Sequence, residues 1–200
     1  MIRDAAVTPR AAVIVPIRSF SGAKARLADV LDEHARATLF RRMADRVVDA
    51  AAPMTVAIVT SAADTLEWAA ARGLHTIDDP GSLDGAAEAG VRWARDAGFV
   101  RVVIAHADLP QARSLTPLAA DLADPVVALV PCHRDDGTNV LSVPVDAGFR
   151  FAYGPGSFVR HTEEARRLGL DVRIVRAPDL VVDVDTPDDL EHLGSDCAVT

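Results

Sequence analysis

Three segments of this 200-residue chain gather the residue types that handle phosphate and hard cations. The first, PIRSFSGAKARL, carries Arg18, Lys24 and Arg26 beside Ser19, Ser21 and Gly22. Cationic side chains next to small residues, whose backbone N–H groups can approach a ligand, suit a polyanion. It is not a P-loop, because no G-x-x-x-x-G-K-[ST] pattern occurs, and a solvated basic turn accounts for it equally well in isolation. The second segment, VVIAHADLP, is an apolar run that delivers Asp108, and the third, LVVDVDTPDDL, delivers Asp183 and Asp185. A carboxylate at a strand end can hold Mg²⁺, which keeps several waters and takes one or two protein carboxylates plus substrate phosphate oxygens. The competing reading of Asp108 is a turn residue ahead of Pro110. Asp183 and Asp185 share a face by period two, which does not rank one above the other. Thr186 and Pro187 then start a helix whose first turn holds Asp188 and Asp189.

A fourth feature is split in two. DDGTN offers Gly137 for close backbone approach and the Thr138 hydroxyl, while YGPGSFVRH offers Gly154, Gly156 and Ser157 at a helix start. Exposed N–H groups at a helix N-terminus bind phosphate without a net positive protein. Arg160 and His161 follow one turn on. For Ser157 alone, a turn with an N-cap is an equal explanation.

These residues need strands and helices to bring them together. AAVIVPI, TVAIVT and FVRVVIAHADLP read as strands buried on both faces. Between them, DEHARATLFRRMADRVVDAA spaces Leu39, Met43, Val47 and Ala50 at helical intervals. AADTLEWAAARG and LDGAAEAGVRWARDAG also read as helices, LHTIDDP as a short strand and loop, and a helix-like piece starts near Ser114. The second half gives short strands, PVVALVP, TNVLSVP, DVRIVR and LVVDVD, with helices at about Ser157 to Leu168 and from about Thr186. Strand–helix alternation predicts an α/β fold with a mostly parallel sheet covered by helices on both faces. The tail predicts a mixed sheet whose second half builds over the carboxyl ends of the first. Ligands of such sheets sit outside the strands' carboxyl ends, where the three loops lie.

Composition sets the bounds. Two hundred residues, half of them apolar, predict one domain over residues 1–200. A formal charge of −8 argues against nucleic acid or an anionic membrane as partner. Cys132 and Cys197 are too few for a disulfide framework and wrongly spaced for zinc, which suits a cytoplasmic protein. No early apolar run is long enough to span a bilayer.

Taken in order, IVPIRSFSGAKARL, HADLP, DDGTN, GPGSFVRH and VVDVDTPDDL resemble the guanylyltransferases of coenzyme F-420 biosynthesis, which act on 2-phospho-L-lactate or phosphoenolpyruvate. The resemblance covers nearly the whole chain, although DVDTPDDL alone is shared more widely among molybdenum-cofactor-type nucleotidyltransferases. It implies a glycosyltransferase-A-like nucleotidyltransferase fold, Mg²⁺ on Asp108 and Asp183, and a triphosphate met by the loop of Arg18, Lys24 and Arg26. It also implies that Thr138, Gly154 and Ser157 contact a phosphorylated three-carbon acid. The implied partners are GTP and that acid, with a homodimer left open. The chain departs from the pattern at Arg18, where lysine is usual, and at Asp84, where a nucleotide-reading asparagine is usual. A planar fork and a carboxylate that only accepts both alter recognition. Another nucleotidyltransferase, of cytidylyl or molybdopterin type, and a non-catalytic nucleotide-sugar or phosphometabolite binder are the competing readings.

Overall fold

The computed structural model describes residues 11–119 and 125–193, so Cys197 lies outside the described residues. Seven strands form one sheet in the order β3-β2-β1-β4-β6-β5-β7. They are β1 (Ala11–Pro16), β2 (Thr55–Val59), β3 (His75–Ile77), β4 (Arg101–Ala105), β5 (Val126–Pro131), β6 (Thr138–Pro144) and β7 (Asp171–Ile174). Only β6 runs against its neighbours, β4 and β5. Four helices cover the sheet: α1 (Glu33–Ala50), α2 (Ala63–Ala71), α3 (Leu83–Asp96) and α4 (Ser157–Arg167).

The central strands are apolar throughout because both faces are covered. Val13 and Val15 pack with Val47 of α1 and Trp68 of α2. Ala12 and Ile14, the alternate residues, pack with Ala87 of α3 and Ala165 of α4. The helical spacing holds in α1, where Leu39, Met43, Val47 and Ala50 are all buried. Gly90 permits the close seat of α3 on β1: a Cβ there would lie 2.5 Å from Ile14 Cγ2.

Four expectations change. Residues 180–185, LVVDVD, are not a strand. β7 already occupies the outer edge of β5, so no ladder is open to them there. Their backbone is instead pinned singly: His133 N–H donates to the Val181 carbonyl (2.7 Å) and Val184 N–H to the Asp108 carbonyl (3.2 Å). The helix from Thr186 is a six-residue 3-10 turn, Pro187–His192, closed by a capping box between Thr186 and Asp189. The piece near Ser114 is the 3-10 turn Thr116–Leu118. The second half, moreover, extends the sheet beside β4 rather than building over it. Antiparallel β6 is what matters for the site, since a reversed strand places its first residues at the carboxyl end of β4. His106 N–H accordingly donates to the Asn139 carbonyl at 3.0 Å. No helix among the described residues is long and apolar enough to cross a membrane.

Candidate active site

The loop after β1 is shaped by a carboxylate that the sequence did not single out. Asp64, in the first turn of α2, accepts the N–H groups of Phe20 (3.0 Å) and Ser21 (2.9 Å) and the hydroxyls of Ser19 (3.1 Å) and Ser21 (3.0 Å). Burial opposes its charge, but the Ser21 bonds outweigh it and hold its carboxyl below the usual range. Of the expected anion donors at Ser19, Ser21 and Gly22, the Ser21 N–H and both serine hydroxyls are therefore spent on the loop itself. The cations remain. They line a cleft of about 430 Å³ containing Arg18, Ser21, Lys24, Arg26, Phe40 and Asp185. Arg18 anchors on the Gly81 carbonyl (2.8 Å) and also lines a neighbouring pocket of about 160 Å³ with Val59, Asp79 and Ser82. A larger cleft, about 530 Å³ along Arg42, Asp45 and Asp49 of α1, contains none of these cations or carboxylates.

Lys24 does not point along the loop but into the protein. Its φ of 55° is left-handed, which is uncommon for a residue with a Cβ. It opens the 3-10 turn Ala25–Leu27, whose Leu27 packs with Leu39, Met43 and Val184. The side chain, only 8% exposed, reaches Asp108 Oδ2 at 2.5 Å and Asp185 Oδ1 at 2.9 Å. Burial works to discharge this ammonium; Asp108 and then Asp185 outweigh it, and its pKa lies above the ordinary lysine value. Burial likewise penalises the Asp108 carboxylate, and Lys24 more than compensates, holding it below the usual range. Arg26 Nη1 stands 3.9 Å from the other oxygen of Asp185.

Asp183 sits in the opposite electrostatic situation. Burial, then the charges of Asp108 and Asp185, push its carboxyl up. Its positioning comes from Asn139, whose amide donates to the carbonyls of Leu180 (3.1 Å) and Val181 (3.0 Å) and reaches Asp183 Oδ1 at 3.5 Å. His133 Nδ1 lies 3.7 Å from the same oxygen. Asp189, expected only as a first-turn acid, is 2% exposed and accepts from the N–H groups of Asp185 (3.0 Å) and Thr186 (2.8 Å) and from Arg134 (3.0 Å). It thereby fixes the turn that carries Asp185.

The donor set fits one hard cation. Asp108 Oδ1 is buried without a hydrogen-bond partner among the described residues, and Asp183 has surplus negative charge around it. Two carboxylates with room for phosphate oxygens are what Mg²⁺ accepts, whereas the described residues contain no cluster of three or more acidic, His or Cys ligands that could cage an ion. Asp185 is the poorer candidate, since Lys24 and Arg26 already approach both of its oxygens.

The split feature also assembles, with a different inner wiring. Gly154 and Gly156 adopt φ of 99° and 72°, which residues with side chains rarely tolerate. Gly156, not Ser157, caps α4. The N–H groups of Gly156, Ser157 and Phe158 are taken by Asp136 Oδ1 (2.9 Å), the Gly154 carbonyl (3.0 Å) and the Asp136 carbonyl (3.1 Å). This helix start therefore does not present the open N–H groups that the sequence suggested. Arg160 is equally engaged, donating to the carbonyls of Ala152, Tyr153 and Pro155. Thr138 and Ser157 are each 1% exposed, with their hydroxyl oxygens 3.4 Å apart. His161 closes the cluster. Its Nε2 accepts the Ala152 N–H (3.0 Å), so the ring proton is on Nδ1, which lies 3.0 Å from Thr138 Oγ1. Burial pushes its pKa down to about 4 and keeps it neutral. Asp84 belongs to this side too: its Oδ1 accepts the Tyr153 N–H at 2.7 Å.

Lys24, Asp108, Asp183 and Asp185 thus meet at the carboxyl ends of β1 and β4, with Thr138 at the adjoining start of β6. Asn139 and Asp64 were missed. An asparagine inside the apolar run of β6 was the legible signal for the first; Asp64 had none beyond its place in a helix's first turn.

Comparison with known proteins agrees with the fold and gives the family. A solved structure described as a putative nucleotide-diphospho-sugar transferase from Desulfovibrio desulfuricans superposes with a TM-score of 0.72 at 20% identity, covering 88% of this chain and 83% of that one. The phosphoenolpyruvate guanylyltransferase of Sphaerobacter thermophilus is 36% identical over 93% of both chains. The 3-phospho-D-glycerate guanylyltransferase of Phenylobacterium zucineum is 34% identical over 90% of this chain and 87% of its own. Residues 11–195 match the family described as "Guanylyl transferase CofC like", and the chain belongs to that family.

Proposed function

We propose that the protein transfers GMP from GTP to the phosphate of a small phosphorylated three-carbon acid and releases pyrophosphate, a step of coenzyme F-420 biosynthesis. Phosphoenolpyruvate, 2-phospho-L-lactate and 3-phospho-D-glycerate are the candidate acceptors. The observation that carries this reading is the convergence of a buried lysine, the carboxylates of Asp108, Asp183 and Asp185 and a cationic cleft in a chain of this family.

An ionised phosphate oxygen of the acceptor attacks the α-phosphorus of GTP. The new P–O bond forms as the bond to the β-phosphate's bridging oxygen breaks, and pyrophosphate carries off the electron pair. The nucleophile is already anionic, so no general base is needed. Bringing two polyanions together is the difficulty, and the chain's contribution is charge and position. Arg18, Lys24 and Arg26 bind the triphosphate along the cleft. Asp108 and Asp183 would hold Mg²⁺, which would supply neutralisation of phosphate charge. Lys24 cannot serve Asp108 and the triphosphate with one unchanged geometry, so substrate entry shifts the ammonium toward phosphate. Thr138, Gly154 and Ser157 form the acceptor side: with His161 Nδ1 as donor, Thr138 keeps its own hydroxyl proton to give. Asp84 retains one oxygen for a guanine N–H.

Purified protein with Mg²⁺ and GTP, offered the three acids in parallel, tests the reading. Pyrophosphate release with at least one acid, and much less with CTP or ATP, is expected. Release from CTP in preference to GTP would support a cytidylyltransferase, and no release from any triphosphate would support a binder.

A further inference from the structure

Among the described residues three buried side-chain atoms have no hydrogen-bond partner: Asp108 Oδ1, His106 Nε2 and Tyr153 Oη. Leaving a buried polar group unsatisfied costs stability, and native proteins leave few. Asp108 belongs to the cation site, but the other two have no role in the account so far. They are neighbours: the His106 and Tyr153 rings lie 5.5 Å apart, His106 directly follows β4 two residues before Asp108, and Tyr153 directly precedes Gly154.

Tyr153 is held from several sides. Its N–H is tied to Asp84 (2.7 Å) and its carbonyl to Arg160 (3.2 Å). Its ring lies parallel to Phe151 at 6.3 Å, with an interplanar angle of 7°, and edge-on to His161 at 4.8 Å. Burial pushes the phenol pKa further up, so the hydroxyl stays a proton donor. A ring this constrained around an unpaired hydroxyl has the form of a preorganised donor, costly in the empty protein and useful when a ligand arrives. The clamp residues named from sequence are, in contrast, largely bonded to one another: the α4 N–H groups go to Asp136 and Gly154, and His161 approaches Thr138.

We infer that Tyr153 Oη and His106 Nε2 bind the carboxylate of the acceptor acid, making them specificity residues between the cation site and the Thr138–Ser157 pair. This rests on the proposed phosphorylated-acid acceptor. Two neighbouring unpaired polar groups suit an anionic group of two oxygens, and the acceptor's phosphate is directed toward Asp108 by the chemistry. The carboxylate selects the tautomer of His106 with its proton on Nε2.

The test is calorimetric binding of each of the three acids, with Mg²⁺ and a non-hydrolysable GTP analogue present, to wild type, Tyr153→Phe and His106→Gln, beside urea denaturation of the unliganded proteins. Tyr153→Phe is expected to bind the preferred acid about tenfold more weakly, the value of one hydrogen bond to a charged group, with the GTP analogue's affinity unchanged. Its unliganded form is expected to be as stable as wild type or more so, since the change removes an unpaired buried hydroxyl. A merely structural tyrosine gives the reverse pattern: lowered stability with unchanged acid affinity. Acid binding by Tyr153→Phe and His106→Gln equal to that of wild type overturns the inference and leaves the acceptor class intact. Failure of wild type to bind any of the three acids overturns both.

Discussion

Replacing Lys24 with methionine isolates the interaction on which the site is built. The Lys24 and Asp108 side chains are 8% and 16% exposed, and their contact is 2.5 Å. Removing one partner of such a sheltered pair leaves an uncompensated charge and costs about 3–5 kcal/mol. The contact with Asp185 adds little, because that side chain is 41% exposed and pairs of that kind contribute about 0–1 kcal/mol. Lys24→Met should therefore lose about 3–5 kcal/mol at pH 7, read by urea denaturation with the slope unchanged. The pH dependence has a definite sign. Lys24 depresses the Asp108 pKa, so the stability from this pair is fully present above the unfolded carboxyl value of about 3.9 and disappears as pH falls through the lower folded value. The penalty in Lys24→Met should accordingly shrink as the solution is acidified, since Asp108 then takes up a proton. Lys24→Met/Asp108→Asn should recover most of the loss, because no buried charge is left unpaired. A loss below about 1 kcal/mol in Lys24→Met, or a double variant as unstable as the sum of the singles, would refute the reasoning.

Asp183→Asn should fold as well as wild type, because it removes a carboxylate already repelled by Asp108 and Asp185, yet lose roughly a hundredfold or more in turnover and weaken Mn²⁺ binding followed by electron paramagnetic resonance. Asp185→Asn should spare Mn²⁺ affinity, and the opposite ranking would make Asp185 the ligand. His161, with its pKa lowered to about 4, binds no proton in the folded state while the unfolded chain takes one up below about 6.5. Stability should thus decline by about 2 kcal/mol between pH 7 and 5, and the decline should vanish in His161→Gln, measured by denaturation at both pH values. Gly90→Ala should destabilise by about 1–3 kcal/mol, since its Cβ would meet Ile14 at 2.5 Å; an unchanged denaturation midpoint would show that α3 can back away from β1.

The parallel half of the fold was legible because its signals are local and redundant. Apolar runs such as AAVIVP and the spacing of Leu39, Met43 and Val47 agree. Residues 180–185 misled for the same reason: Val182, Asp183, Val184 and Asp185 alternate like a strand, but pairing depends on which edge is available, and β7 takes it. At the site, residue types and their places at strand ends were readable, as with Asp108. Their mutual commitments were not. Nothing local says that Lys24 turns inward to bridge Asp108 and Asp185, or that Asp136 uses up the donors at the start of α4. Those are long-range pairings, set by which strands become neighbours.

The most direct test of the account is the fate of oxygen in one turnover. The acceptor acid, labelled with oxygen-18 throughout its phosphate, is incubated with unlabelled GTP, Mg²⁺ and the protein, and the products are weighed by mass spectrometry. Attack by the acceptor's phosphate on the α-phosphorus predicts that all of the label appears in the adduct of GMP with the acid and none in pyrophosphate. Label in pyrophosphate or in free inorganic phosphate, or GMP formed without the acid attached, would contradict it.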